Sequence, residues 1–490
     1  MIVPIGLVSI TYLSIFIFGA STLPWSGTAD SYDHLDYVYQ VYKGHLPAPT
    51  GHQWMPTGFP LTEGQTGDGR QFASAHPPLF YLVAAVLAGW LLDSPNWVYG
   101  VLLIRMLNGW FGLTGIGVLA WAGWMLGGRH RHLLSVALPS IGAFTFAYLR
   151  FSSDAYNDIL VTVLSMSALT VSVVILTRGP SSALLISLVL ICTAGMGTKA
   201  TFILTLATSV AAVILGVMIH HTGNVGRRIV GAAGSASLLV AVPAGVFGWF
   251  YVRNSALSGS WYRSTPKSPV GSRSDKSLLA NLANPDFYQI VPSGLIGRGT
   301  AEFSGTAELI STGIFLTGAL TSAVVAALIL RRKGGPPSIA KLSVIVMLAG
   351  HLVGSYVIQL SHATGFGAYN WRYFMPSTLS IALIVGGGVA LIPRAGPALI
   401  AVLSTVLWAA NAKSFVAYSA NRTGVTGDDF FGTAAMLSAA NGAPPWVPAV
   451  AIAIAILSTV GTCVMTYILF ASESSGAPGL IAPARSRSRR

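Results

Sequence analysis

Thirteen apolar segments divide the chain, near residues 3–19, 77–92, 98–125, 133–149, 159–177, 181–196, 200–219, 229–251, 306–330, 342–360, 373–392, 396–411 and 446–470. A run of about 20 apolar residues is long enough to cross the hydrocarbon core of a bilayer. Inside that core every backbone N–H and C=O must be paired within the protein, which leaves helices and closed barrels. Barrel strands alternate polar and apolar residues over about 10 positions, and these runs do not alternate. The pattern therefore predicts an all-α polytopic membrane protein, with one integral membrane domain over 1–490. Only 9% of the residues are charged, against about 25% in soluble domains. The two cysteines, Cys192 and Cys463, lie inside apolar segments, which excludes a disulfide framework and a cysteine metal site. The first segment has no basic leader and no small-residue cleavage site, so it is expected to remain as a span.

The net charge of +13 does not imply nucleic acid, because the basic residues are scattered over short loops with no aromatic-basic surface domain. Their placement reads better as topology. If "HPPLFYLVAAVLAGWLLD" (76–93) does not cross, the loops "GGRHRH", "TRGPSS", "HHTGNVGRR", "RRKGGPPSIAK" and "PRAG" and the tail "RSRSRR" share one side, with 14 of the 28 Lys and Arg. That side is expected to be cytoplasmic, with about 12 crossings and both ends inside. Glu473 is its only acid, and the other 14 of 15 fall on or near the opposite face. Three segments then face outward, 20–97, 252–305 and 412–445, and 472–490 is a basic cytoplasmic tail.

The acids concentrate in "SGTADSYDHLDYVYQVYKGHLP", residues 26–47. From Ser31 to Lys43 there is no Gly or Pro, and Leu35, Val38 and Tyr42 share a helical face, which predicts a short amphipathic helix at the membrane surface. Asp30 stands at its N-cap position, and His34 follows one turn later. Asp30 and Asp33 are the candidate general bases, against the plainer reading of a cap and solvated interface residues. His76 precedes the Pro-Pro of the interfacial helix. Arg105, Lys199, Arg253 and Arg372 fall at one expected depth on the acid-bearing face, where snorkelling alone would explain each. Together, cations at the outer hydrocarbon boundary beside carboxylates suit a lipid-linked phosphate: cations hold the leaving phosphate and a carboxylate activates a hydroxyl. No His/Asp spacing completes a metal site, so neither metal nor cofactor is expected.

These motifs resemble the GT-C superfamily of membrane glycosyltransferases. The resemblance lies in the Asp-bearing first loop, "HPPLFYL", a following span with an early Arg ("VLLIRMLNGWFG"), "SSDAYND", "TKATF" and "NWRYFMP". More narrowly, the chain is similar to bacterial multi-pass proteins with a "DE-x-x-H-x-x-Y…G-x-L-P" loop, then "HPP-L-x-Y" and "V-R-N-x-x-x-x-G". On that likeness Asp30 matches the first acid, and His34, Tyr37 and Gly44–Pro47 match the positions after it. His76, Arg253 and Asn254 match the later motifs. Ser31 stands where the second acid usually sits, which leaves the base open between Asp30 and Asp33. The resemblance implies inverting transfer of a sugar from a polyprenyl-phosphate donor to a cell-wall or lipid-linked glycan, outside the cytoplasmic membrane. A transporter or flippase would instead place ionisable residues near the midplane and repeat its halves. Here the spans are almost uncharged apart from His351, and no repeat is visible. A non-catalytic assembly subunit would leave the acid-rich outer loops unexplained.

Overall fold

The computed structural model describes residues 2–24, 30–49, 51–55, 71–222, 224–261, 277–296, 304–331, 339–366, 369–392 and 395–474. Most of the expected basic tail and much of the outer segment 252–305 lie outside these residues.

All thirteen apolar segments form helices. Nine are long and apolar enough to cross a membrane, among the described residues. They include Ile2–Thr22 (α1), Trp97–Leu126 (α4), Asp158–Arg178 (α7), Val225–Ser258 (α10), Ile339–Phe366 (α14), Gly396–Thr423 (α17) and Val447–Ser474 (α19). Two more begin in short 3₁₀ turns: Ala200–Phe202 leads into Ile203–His220 (α9), and Trp371–Ser377 leads into Thr378–Ala382 (α15) and Gly388–Ala390 (α16). A tenth is broken: Arg131–Gly142 (α5) and Phe146–Ser152 (α6) meet at 69°. The two remaining expected crossings are Ser182–Met196 (α8), of 15 residues, and Ser304–Arg331 (α13), of 28. Twelve thus approximates the number of crossings. Leu79–Leu92 (α3) has 14 residues, a length of about 21 Å against a core of about 30 Å.

The irregular stretches follow the rule that freed backbone groups in a membrane protein need partners. At the α5–α6 break, Asn411 Nδ2 donates to the Phe144 carbonyl (2.7 Å), and the Thr145 hydroxyl caps α6 by accepting from Tyr148 N–H. Between α15 and α16 the chain widens into a π turn over Leu383–Gly387. Ser322 Oγ donates to the Ile384 carbonyl there (2.8 Å). In lipid, helices associate by close packing and polar contacts. Tyr12 of α1 and Tyr148 of α6 push hydroxyls into α4, and Tyr148 donates to the Gly112 carbonyl at 2.7 Å. A β-carbon at Gly112 would collide with Tyr12, so only glycine admits this approach. The main apolar core gathers α1, α4 to α7, the 371–390 span, α17 and α19.

Beside this core, Ser31–Tyr42 (α2) packs on α3. The amphipathic helix expected at the surface is present, but residues 31–40 are all buried. The segments 52–55 and 71–81 cover it, and the Tyr37 and Tyr81 rings stack at 3.7 Å. Three further helices complete the fold, Leu278–Leu282 (α11), Pro285–Ile296 (α12) and Phe430–Ala440 (α18). Since α17 extends to Thr423, the expected third outer segment begins inside a helix.

Candidate active site

Helix α2 puts chemistry on two faces. Asp30 occupies the position before the helix, but its backbone is already helical (φ −97°, ψ −8°) and its side chain makes no cap. The carboxylate turns instead to Arg372, at 2.7 Å from Nη1, with the Asp30 side chain 44% exposed. Burial pushes the Asp30 carboxyl up, but the Arg372 guanidinium outweighs it, with smaller help from His76 and Lys199, and the net shift is downward. Asn370 orients this partner by accepting from Arg372 N–H and so starting the 3₁₀ segment.

One turn along, His34 stacks on His76 at 5.5 Å and lies against Tyr156 at 4.6 Å. Its Nδ1 is 2.8 Å from the Tyr81 hydroxyl. Burial first, then Lys199 and Arg372, hold both imidazoles well below their usual range, so both are neutral at pH 7. Lys199 reaches Asp158 at 2.5 Å, both buried. Leu79 N–H donates to the Gly197 carbonyl (2.9 Å), tying the start of α3 to the turn that carries Lys199. Asp30, His34, His76, Asp158, Lys199 and Arg372 therefore form one cluster. Its two acids and two cations sum to zero charge.

The side of α2 turned toward the covering loop holds the other two acids, Asp33 one turn from Asp30 and Asp36 further round. Asp36 is fully buried and accepts from Trp54 N–H (2.6 Å), Met55 N–H (2.7 Å), Gln40 Nε2 (2.7 Å) and Gln71 Nε2 (2.6 Å). Asp33, 4% exposed, accepts from Gln53 Nε2 (2.8 Å) and Phe72 N–H (3.2 Å). Burial first, opposed by these bonds and reinforced by the neighbouring acids, pushes the Asp33 carboxyl up to about 7.

Two of the expected cations donate chiefly to backbone carbonyls. Arg105 is fully buried and donates to the carbonyls of Ala20 (2.8 Å), Leu23 (3.2 Å) and Pro24 (2.7 Å), with Asp154 at 3.8 Å. It gathers the orphan acceptors at the end of α1, where a cation is favoured. Arg253 donates to the carbonyls of Leu46 (3.0 Å) and Pro47 (3.1 Å) and to its neighbour Asn254 (3.3 Å). It clamps the Gly44–Pro47 turn to α10. Ser31, where the resembling proteins carry a second acid, donates to Asp154 at 3.1 Å.

Sequence reasoning did not select Asp158, Tyr81 or Tyr156 as site residues. The signal for Asp158 was present, since a buried Lys199 at a span boundary requires an anionic partner. Among the described residues, no three or more His, Cys, Asp or Glu side chains are placed to hold a metal ion.

No family model matches the sequence, and no curated protein matches it. By structure the chain is similar to ArnT from Cupriavidus metallidurans in the apo state, with a TM-score of 0.51 and 12% identity, over 95% of this chain and 76% of that one. It is also similar to ArnT bound to undecaprenyl phosphate, with a TM-score of 0.49 and 13% identity, over 96% and 77%. A third similar structure is the Archaeoglobus fulgidus oligosaccharyltransferase tethered with an acceptor peptide, with a TM-score of 0.41 and 12% identity, over 96% and 55%. At this identity the likeness is one of fold. The chain is an all-α multi-pass membrane protein with a GT-C-like bundle.

Proposed function

We propose that this GT-C-fold protein transfers a sugar from a polyprenyl-phosphate donor to a hydroxyl of a cell-wall or lipid-linked glycan, with Asp30 as the base. One observation carries the reading. Among the described residues, the Asp30 side chain is 44% exposed, is held by one cation, Arg372, and is set in the field of a second, Lys199. Asp33 has the more suitable pKa for a general base, but geometry decides first, and its side chain is buried with Oδ1 bonded to Gln53 and Phe72 of the covering loop.

The neutral cluster suggests how donor and base are coupled. A phosphate that enters takes Arg372 and Lys199 from the carboxylates by charge-assisted hydrogen bonds. Asp30 then loses the charge that depressed its pKa and becomes more basic as the donor arrives. It takes the proton of the acceptor hydroxyl while that oxygen bonds to the anomeric carbon. The bond from that carbon to the phosphate oxygen breaks, and the polyprenyl phosphate leaves as an anion on Arg372 and Lys199. One displacement inverts the anomeric centre and needs no second carboxylate. The neutral His34 and His76 offer hydrogen bonds to sugar hydroxyls without adding charge. In this reading Arg105, Arg253 and Asn254 support the loop backbone. The positive short loops support a cluster on the extracytoplasmic side of the cytoplasmic membrane.

The test is to incubate purified protein with a panel of undecaprenyl-phosphate sugars and of glycan and lipid-linked glycan acceptors, measuring undecaprenyl phosphate release. Release by the wild type that is lost in Asp30→Asn and retained in Asp33→Asn supports the assignment. Equal retention in both variants overturns it.

A further inference from the structure

Helix α14 carries none of the cluster residues, yet it holds a buried ionisable side chain in mid-span, His351. Such a residue in a membrane needs a named partner or a function. His351 has two partners on two other elements. Its Nδ1 is 2.9 Å from Ser377 Oγ, and its Nε2 is 3.0 Å from Thr205 Oγ1. Thr205 donates onward to Ser165 Oγ (3.1 Å), and Ser355 Oγ lies 2.7 Å from Ser377 Oγ.

The elements joined in this way carry three of the four charges of the cluster, all but Asp30. Ser165 is on α7, two turns below Asp158. Thr205 is on α9, just after the turn bearing Lys199. Ser377 closes the 3₁₀ segment that contains Arg372. One direction is compatible with the ring contacts, Ser377 to Nδ1, Nε2–H to Thr205 and Thr205 to Ser165, while the single Ser355 proton is divided between Ser377 Oγ and the His351 carbonyl, 3.2 Å away. A neutral imidazole with the proton on Nε2 fits the ring contacts in that direction.

The rest of α14 continues the attachment over the next three turns. Gln359 accepts from Asn370 N–H (3.2 Å), Tyr356 packs edge-on against Phe374 (4.5 Å), and His362 lies against Tyr373 (4.6 Å). The whole 370–377 stretch is thereby registered on one helix. A 3₁₀ segment has poorer internal hydrogen bonds than an α-helix, so external partners matter more to its position.

We propose that His351 is a positioning residue: it fixes the 3₁₀ segment, and with it Arg372, relative to Asp158 and Lys199. The link to donor affinity rests on the phosphate reading above; the positioning itself does not.

The experiment compares wild type, His351→Leu, His351→Gln and Ser377→Ala, all purified in detergent. It reads amide hydrogen exchange across the chain and binding of undecaprenyl phosphate. Loss of both ring bonds in His351→Leu is expected to speed exchange in 371–377 about tenfold, with α1 and α4 unchanged. Undecaprenyl phosphate should bind about tenfold more weakly to that variant. His351→Gln should restore both, because its amide can donate and accept. Ser377→Ala keeps the ring but removes its Nδ1 bond and the Ser355 contact, so it loosens the same segment should His351→Leu fail to fold. Unchanged exchange in 371–377, or a rise spread evenly over α1 and α4, overturns the proposal. Should the wild type bind no undecaprenyl phosphate, the donor reading falls, and the exchange comparison still upholds or overturns the positioning.

Discussion

Helix α2 carries the same residue type on two faces with opposite outcomes. Among the described residues, Asp36 has four donors and no exposed surface, while Asp30 has one cation and a half-exposed side chain. Saturated hydrogen bonding makes a carboxylate a structural tie, here between α2 and the loop over it. A carboxylate with one exchangeable partner stays available to a ligand. Chemistry and architecture are thus separated by coordination, not by residue identity or position in a motif.

The largest effect that could break this comparison is on rate. Asp30→Asn should lower transfer by about 10²–10⁴, the typical worth of general-base assistance, with the melting temperature nearly unchanged. A comparable loss in Asp33→Asn with Asp30→Asn active would exchange the two faces.

The next effect is on stability. Asp36→Ala leaves the N–H groups of Trp54 and Met55 and the Gln40 and Gln71 amides without their shared acceptor. At about 1–3 kcal/mol for each buried donor left unsatisfied, this variant should melt well below wild type. An unshifted melting curve would remove Asp36 from the architecture.

A smaller effect concerns binding. Arg372→Gln and Lys199→Gln should each weaken undecaprenyl phosphate about 10- to 100-fold, the worth of one charge-assisted hydrogen bond. Arg253→Ala should leave that affinity unchanged, since its guanidinium is bonded to Leu46 and Pro47. Equal losses in all three would place Arg253 in the cluster. Isothermal titration separates these outcomes.

The smallest effect is a pH slope. The folded Asp33 carboxyl is raised to about 7, against about 3.9 in an unfolded chain. Between those values the folded protein keeps a proton that the unfolded chain has lost, so stability falls as pH rises through that window. Asp33→Asn removes this titration, and its melting temperature should decline less from pH 4 to 7 than that of wild type.

Much of this fold was legible because a bilayer imposes one rule on sequence. Every apolar run became a helix, and α3 stood out as short. The acid-rich first loop pointed to Asp30, His34 and His76, which the structure brings together. Two things were not legible. Burial of α2 depends on 52–55 and 71–81 folding over it, and nothing in its own periodicity announces that cover. The partner of a span-end cation depends on which helix stands opposite. Lys199 found an acid 41 residues away in sequence, whereas Arg105 found the carbonyl end of α1. Composition and expected depth treat those two cations alike.

The Asp30–Arg372 pair joins residues 342 apart in the chain. At a synthesis rate of about 5–20 residues per second, Asp30 precedes its partner from the ribosome by about 17–70 s. Throughout that interval the half-built protein holds an acid without its counter-charge. The cluster is therefore neutralised late in biogenesis, and a nascent chain stalled before Arg372 would present a bare carboxylate to whatever machinery inserts it.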